Sequence, residues 1–176
     1  LSSSSAASDV YKRQGTPNGY SYITFNGTQY IIDWKVSGKP KDYRMNIHTP
    51  RGVKEEESSS TPITVNFFNG SEQSKLSFRV LGETEWVKMD QVSKQDPFYS
   101  LIYERFNDFN SLKIKESWEN DSQLKDKSYP LIKRMYEANN STHLWQNKIG
   151  TSLTEGVHII EVMVKDRYDR EFKDYH

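Results

Sequence analysis

Tyr20-Ser21-Tyr22-Ile23-Thr24-Phe25-Asn26-Gly27-Thr28-Gln29-Tyr30-Ile31-Ile32-Asp33-Trp34 is the stretch on which the fold reading turns. Tyr20, Tyr22 and Thr24 alternate with Ser21, Ile23 and Phe25, a period of two that suits a pleated strand and no helix. After Asn26-Gly27 the alternation resumes, with Tyr30, Ile32 and Trp34 against Gln29, Ile31 and Asp33. Two such runs across an Asn-Gly pair predict an antiparallel hairpin closed by a type I′ turn.

The same period continues outward. Lys39-Pro40 breaks the chain before Asp42 to His48, where Tyr43, Met45 and Ile47 share a face. Pro50 to Ser60 reads as a polar loop whose Glu55-Glu56-Glu57 run is a solvated surface. Strands are expected again at Ile63 to Phe68, at Leu76 to Val80, at Trp86 to Met89, at Thr142 to Gln146, at Val157 to Asp166 and from Phe172 to His176. Turn residues punctuate them every eight to twelve positions, the spacing of an antiparallel sandwich. Gln91 to Pro130 interrupts the pattern. Asp96 stands where it caps a helix with Pro97 in the first turn, and Tyr99, Ile102, Tyr103 and Phe106 recur at helical spacing. Pro130 to Ala138 is read as a second short helix. The expected fold is therefore an all-β, Ig-like antiparallel β-sandwich with a helical insertion around residues 96–138. No internal repeat points to a propeller or solenoid.

Composition narrows the function classes. The 176 residues carry 24 Lys plus Arg against 24 Asp plus Glu, a formal net charge of zero without the basic surplus of a nucleic-acid binder. Mean hydropathy is −0.86, and no window approaches the roughly 18 to 20 apolar residues of a membrane-spanning helix. Neither nucleic acid nor a membrane span is expected. With 4 Trp, 11 Tyr and 8 Phe the core is expected to lean on aromatic rings, and the absence of Cys removes disulfides, thiol catalysis and thiolate metal sites.

Residues 1–14 stand apart from this pattern. They form a Ser/Ala tract with a short basic end, and Asp9-Val10-Tyr11-Lys12-Arg13-Gln14 resembles a translated sequencing-library adapter, the other reading being a Ser-rich linker. The folded domain is expected over 15–176, cut off within its last strand.

Six strings then occur in series: Gly15-Thr16-Pro17-Asn18-Gly19-Tyr20-Ser21, Tyr43-Arg44-Met45-Asn46-Ile47, Phe67-Phe68-Asn69-Gly70-Ser71, Asp96-Pro97-Phe98-Tyr99, Thr142-His143-Leu144-Trp145 and Gly156-Val157-His158-Ile159-Ile160-Glu161-Val162 with Asp166. Together they resemble the C-terminal domain of bacterial calcineurin-like phosphoesterases, a β-rich module following a metallophosphoesterase catalytic domain. The resemblance implies a parent enzyme that hydrolyses phosphoesters with two divalent metal ions, a catalytic domain in cis as partner, and a periplasmic or secreted location. Two departures stand out. Asp169 occupies a turn position where many members carry Gly, and Asn107 to Asn139 matches no part of the pattern.

The catalytic motifs of such an enzyme are a separate matter. A two-metal phosphoesterase site needs bridging carboxylates and imidazoles to orient a hydroxide, yet the chain contains no Gly-Asp and no Gly-Asn, and its Asp-x-His at Asp174-Tyr175-His176 has no later motif to complete it. His48, His143, His158 and His176 lie far apart, no Gly-x-Ser-x-Gly elbow is present, and the glycines are scattered singly. No catalytic or metal-ligating residue is assigned. Asn18, Tyr20, Asp96, His143 and Trp145 are the candidates for an interdomain contact, because sandwich turns gather at two ends and Tyr or Trp buries area while keeping a polar handle. Ordinary core and capping roles are the competing account of the same residues. A carbohydrate- or ligand-binding module, with Trp34, Trp86, Trp118 or Trp145 as a stacking platform, is the alternative function.

Overall fold

The computed structural model of the chain describes residues 14–109 and 135–176. Among them the elements run β1 (Gly19–Asn26), β2 (Gln29–Val36), β3 (Met45–His48), α1 (Glu55–Ser58), β4 (Pro62–Phe67), β5 (Lys75–Val80), β6 (Val87–Lys88), β7 (Asp90–Gln95), α2 (Pro97–Phe109), β8 (Asn140–Lys148), β9 (Ile160–Lys165) and β10 (Glu171–Tyr175). Eight of these strands build two antiparallel four-stranded sheets, ordered β10-β9-β5-β6 and β3-β4-β8-β7. The fold is an all-β sandwich.

Alternation decides what fills it. Leu76, Phe78 and Val80 from β5 and Ile160, Val162 and Val164 from β9 meet Met45, Ile63, Val65, Phe67 and Trp145 from the facing sheet in one buried cluster. Phe67 sits between two rings, 6.5 Å from Trp145 and 6.2 Å from Phe172, the tilted geometry that aromatic quadrupoles favour. Each fully buried side chain of this size contributes about 1.5–3 kcal/mol relative to solvent exposure, so this face-to-face cluster is the main stabilising feature of the domain.

β1 and β2 form a third, two-stranded sheet of their own, in register from Gly19 opposite Val36 to Asn26 opposite Gln29. The turn differs from the expected one. Its two central residues are Gly27 and Thr28, and only Gly27 has positive φ, at 60°, the type II′ requirement of Gly in the first central position. Asn26 instead closes the strand.

Several boundaries also move. The strand expected from Val157 starts at Ile160, after Gly156 at φ 146° and a Val157 that is 95% exposed. The strand expected from Asp42 begins at Met45, and Glu55 to Ser58 form a short helix within the expected loop, their three glutamates exposed. β7, Asp90-Gln91-Val92-Ser93-Lys94-Gln95, lies where the sequence pattern predicts a break in the strands. It is a polar edge strand with a register shift between Val92 and Lys94, so backbone pairing to β8 and not a buried face makes it a strand. Of the second expected helix, residues 130–134 lie outside the described residues, and 135–138 are not helical.

Candidate functional site

The buried polar residues of the second sheet gather on its outer face, away from the apolar core. His48 on β3 and Asn66 on β4 point there, since their neighbours Ile47, Val65 and Phe67 face inward. Asp96, at the corner between β7 and α2, is fully buried beneath the chain entering the fold. Its Oδ1 accepts the Tyr99 backbone N–H at 2.9 Å, capping α2 as the Asp-Pro signal predicts. Its Oδ2 accepts Asn66 Nδ2 at 2.8 Å and lies 3.5 Å from His48 Nε2, a long polar contact. Gly15, at φ 79°, lies directly on this carboxyl, where any Cβ would collide with the Asp96 side chain. Burial alone would raise the Asp96 pKa, but the donors from His48, Tyr99 and Asn66 outweigh it and hold the carboxyl below its ordinary range.

Above these groups opens a cavity of about 690 Å³ lined by Thr16, Asn18, Tyr43, His48, Phe98 and Tyr99 among others. The Tyr43 hydroxyl donates to Asn46 Oδ1, and its pKa is raised, first by burial and then by the charges of Asp174 and Asp96. Thr16 Oγ1, on the cavity wall, is buried without a hydrogen-bond partner among the protein atoms, and so is Asn66 Oδ1 beside Asp96. A polar wall of this kind accommodates a small polar molecule or ordered water. Among the described residues no three His, Cys, Asp or Glu side chains group as metal ligands do, and the Asp96 oxygens serve the helix cap and Asn66.

The structure distributes the five sequence candidates unevenly. Asn18 stands on the cavity rim, and Asp96 is buried beneath Gly15, three residues earlier in the chain than Asn18. Tyr20 stands on β1 with 56% of its surface exposed, beyond that cavity. Trp145 and His143 occupy β8 positions two residues apart, on the face opposite Asn66. Trp145 is buried against Phe67, whereas His143 is half-buried with its Nδ1 3.2 Å from the Phe68 carbonyl oxygen. Burial pushes the His143 imidazole pKa down, and the Phe68 carbonyl offsets only part of that. Asp96 and Trp145 thus have no surface to offer another domain, while Asn18 and Tyr20 do.

The tryptophans weigh against a sugar platform in the same way. Trp145 is core, Trp34 is half-buried with its Nε1 enclosed, and Trp86 lies under the Arg79 guanidinium at 4.6 Å and the Lys173 ammonium at 5.6 Å. Trp118 lies outside the described residues.

A second polar centre was not anticipated from the sequence. Asp33 on β2 is buried, its Oδ1 accepts from Arg44 Nη1 at 2.8 Å and Arg170 Nη2 at 3.0 Å, and its Oδ2 accepts from Arg170 Nη1 at 3.1 Å. Arg170 Nη2 also reaches Asp166 Oδ2 at 2.7 Å, and Arg44 stacks 4.4 Å over the Phe172 ring. Burial would raise the Asp33 pKa, yet both guanidinium groups hold it below the ordinary carboxylate range. The hint was an ionisable residue between Ile32 and Trp34. Its partners, eleven and 137 residues away, are not legible from spacing.

Comparison with known proteins agrees with the resemblance carried by the serial motifs. No curated protein and no solved structure matches the chain. The family described as the C terminal of calcineurin-like phosphoesterase matches residues 4–172, nearly the whole sequence. The chain belongs to that family of C-terminal phosphoesterase domains.

Proposed function

We propose that this domain is the non-catalytic accessory part of a metal-dependent phosphoester hydrolase, packed in cis on a catalytic domain that holds two divalent metal ions. The family match over residues 4–172 carries this reading. Its polar chemistry supports a structural role. Asp96 caps a helix, Asp33 and Arg170 fasten a hairpin, and Glu161 is tied to Arg79 at 2.6 Å and to Lys173 at 3.3 Å. A general base or a metal ligand needs lone pairs facing a substrate, and these carboxylates face structural donors instead. Specificity for one phosphoester over another then belongs to the partner domain.

The test is an assay of the purified domain with Mn²⁺ or Zn²⁺ against phosphomonoester and phosphodiester substrates. No turnover above buffer is expected, whereas the polypeptide containing both domains turns over. Metal-dependent activity that persists in the domain through repurification overturns the reading.

A further inference from the structure

Asn-Gly occurs three times, at Asn18-Gly19, Asn26-Gly27 and Asn69-Gly70. In each, a glycine without a Cβ leaves its backbone nitrogen open to the side-chain carbonyl carbon of the preceding asparagine. The fold treats the three unequally. Asn69 is half-buried, its Nδ2 donates to the Ile32 carbonyl at 2.7 Å, and the Gly70 N–H donates to the Phe67 carbonyl at 2.9 Å. Gly70 is also wedged under Trp145, whose ring would lie 2.4 Å from a Cβ. Asn18 is exposed, but Gly19 is pinned inside β1: a Cβ there would stand 2.4 Å from the Lys35 carbonyl oxygen and 2.8 Å from the Trp34 ring. That peptide has no room to turn. Asn26 and Gly27 form the free tip of the hairpin, both exposed, and nothing lies within 4 Å of a Cβ on Gly27. Gly27 holds the first central position of the two-residue turn, so its N–H takes no part in the ladder. Among the described residues no hydrogen bond holds the Asn26 carboxamide.

We propose that Asn26 is a site of self-modification, where the Gly27 backbone nitrogen attacks the side-chain carbonyl carbon and the carboxamide nitrogen leaves as ammonia. The bond from Gly27 N to Asn26 Cγ forms, the Cγ–Nδ2 bond breaks, and the Gly27 amide proton departs with the ammonia, leaving a cyclic succinimide. Water then opens the ring. Addition at Cγ gives aspartate, addition at the backbone carbonyl carbon gives isoaspartate, and nothing is oxidised or reduced. Bringing the two reacting atoms together requires the last ladder pair, Asn26 with Gln29, to open. A two-stranded ribbon is marginally stable and frays first at its tip, so this opening is the least costly of the three. The consequences stay local. Each event adds a negative charge to a chain of formal net charge zero, and isoaspartate lengthens the backbone by a methylene, so the end pair loses its register. Asp33 and its arginines lie beyond the altered turn and keep the hairpin fastened.

Peptide mapping by mass spectrometry tests this on the intact chain aged in mildly alkaline buffer, with fragmentation placing each amide-to-acid mass gain on its residue. Asn26 is expected to convert at least about tenfold faster than Asn18 or Asn69, because only its peptide reaches the attacking geometry without opening packed structure. In the chain unfolded by urea the three rates should converge, since the same Asn-Gly dipeptide then reacts at each position. Enzymatic methylation of isoaspartyl groups should label the aged folded protein, and Asn26→Gln should abolish that label. The inference falls if Asn18 or Asn69 converts as fast as Asn26 in the folded protein, or if the label survives Asn26→Gln. It falls too if Asn26 stays intact over the time in which the unfolded chain converts. The same ranking in urea would overturn it as well, because neighbouring residues and not the fold would then set the rates.

Discussion

The sandwich and the hairpin are both antiparallel β-structure, yet different forces hold them. Facing sheets in the sandwich enclose Phe67, Phe78, Val65 and Val162 almost completely, so water release supplies most of their stability. The hairpin leaves Phe25 and Tyr30 in solvent and is fastened by one edge: Ile32 N–H donates to the Tyr168 hydroxyl at 3.1 Å, Asn69 Nδ2 to the Ile32 carbonyl at 2.7 Å, and Asp33 grips two arginines. Apolar contact is non-directional and tolerates imperfect register. An ionic hub is directional and fails when one partner is lost. The difference separates a unit that folds cooperatively from one positioned on it.

That contrast is broken most severely from the sandwich side. Phe67→Ala removes a ring wedged between Trp145 and Phe172 and is expected to cost about 3–5 kcal/mol. Chemical denaturation should show a large fall in midpoint with all β signals lost together. A loss below about 1 kcal/mol would mean that the two sheets do not depend on their shared core.

Asp33→Ala attacks the hairpin alone. It leaves Arg170 facing Asp166 and strips Arg44 of its carboxylate, with an expected cost of about 2–4 kcal/mol. Hydrogen exchange should quicken in residues 19–36 while β4, β5, β8 and β9 keep their protection. Uniform acceleration across the sandwich would show that hairpin and core form one cooperative unit.

Acid acts on both regions by a smaller effect. His143 has a folded pKa below its unfolded value, so the unfolded chain binds the extra proton and stability falls as pH drops through the range just below about 6.5. Asp33 and Asp96 are also held low, but as carboxylates their contribution is complete above about pH 4 and is lost only as pH falls further through their folded values. Denaturation midpoints from pH 7 to 3 should therefore decline in two stages, and His143→Gln should flatten the upper one. An unchanged upper stage in that variant would remove His143 from the account.

The smallest change sharpens the hub. Asp169 has φ 59° in the turn between Asp166 and Arg170, a left-handed conformation that suits Gly better than a residue with a Cβ. Its contact with Lys165 at 3.1 Å is solvent-exposed and adds little. Asp169→Gly should stabilise the domain by about 0.5–1 kcal/mol, read as a rise in Tm. A drop instead would show that the ion pair matters more than the backbone.

The sequence by itself determined much of this protein, because period-two alternation and turn chemistry act between near neighbours. It disclosed the hairpin, the strands at β4, β5 and β9, the Asp96 cap and the serial motifs of the family. Tertiary structure alone decided the rest. β7 exists because β8 offers its edge a hydrogen-bonding partner, a condition that no local pattern records. The Asp33 hub joins residues 137 positions apart, and Asp96 is buried because the Gly15 segment crosses over it. Trp145 and Asn18 both stand in the motifs as polar or amphipathic residues, but strand parity on β8 sends Trp145 into the core, whereas Asn18, just before β1, is left at the cavity rim. Long-range pairing is a property of how the sheets stack, and stacking is settled only when the whole chain has folded.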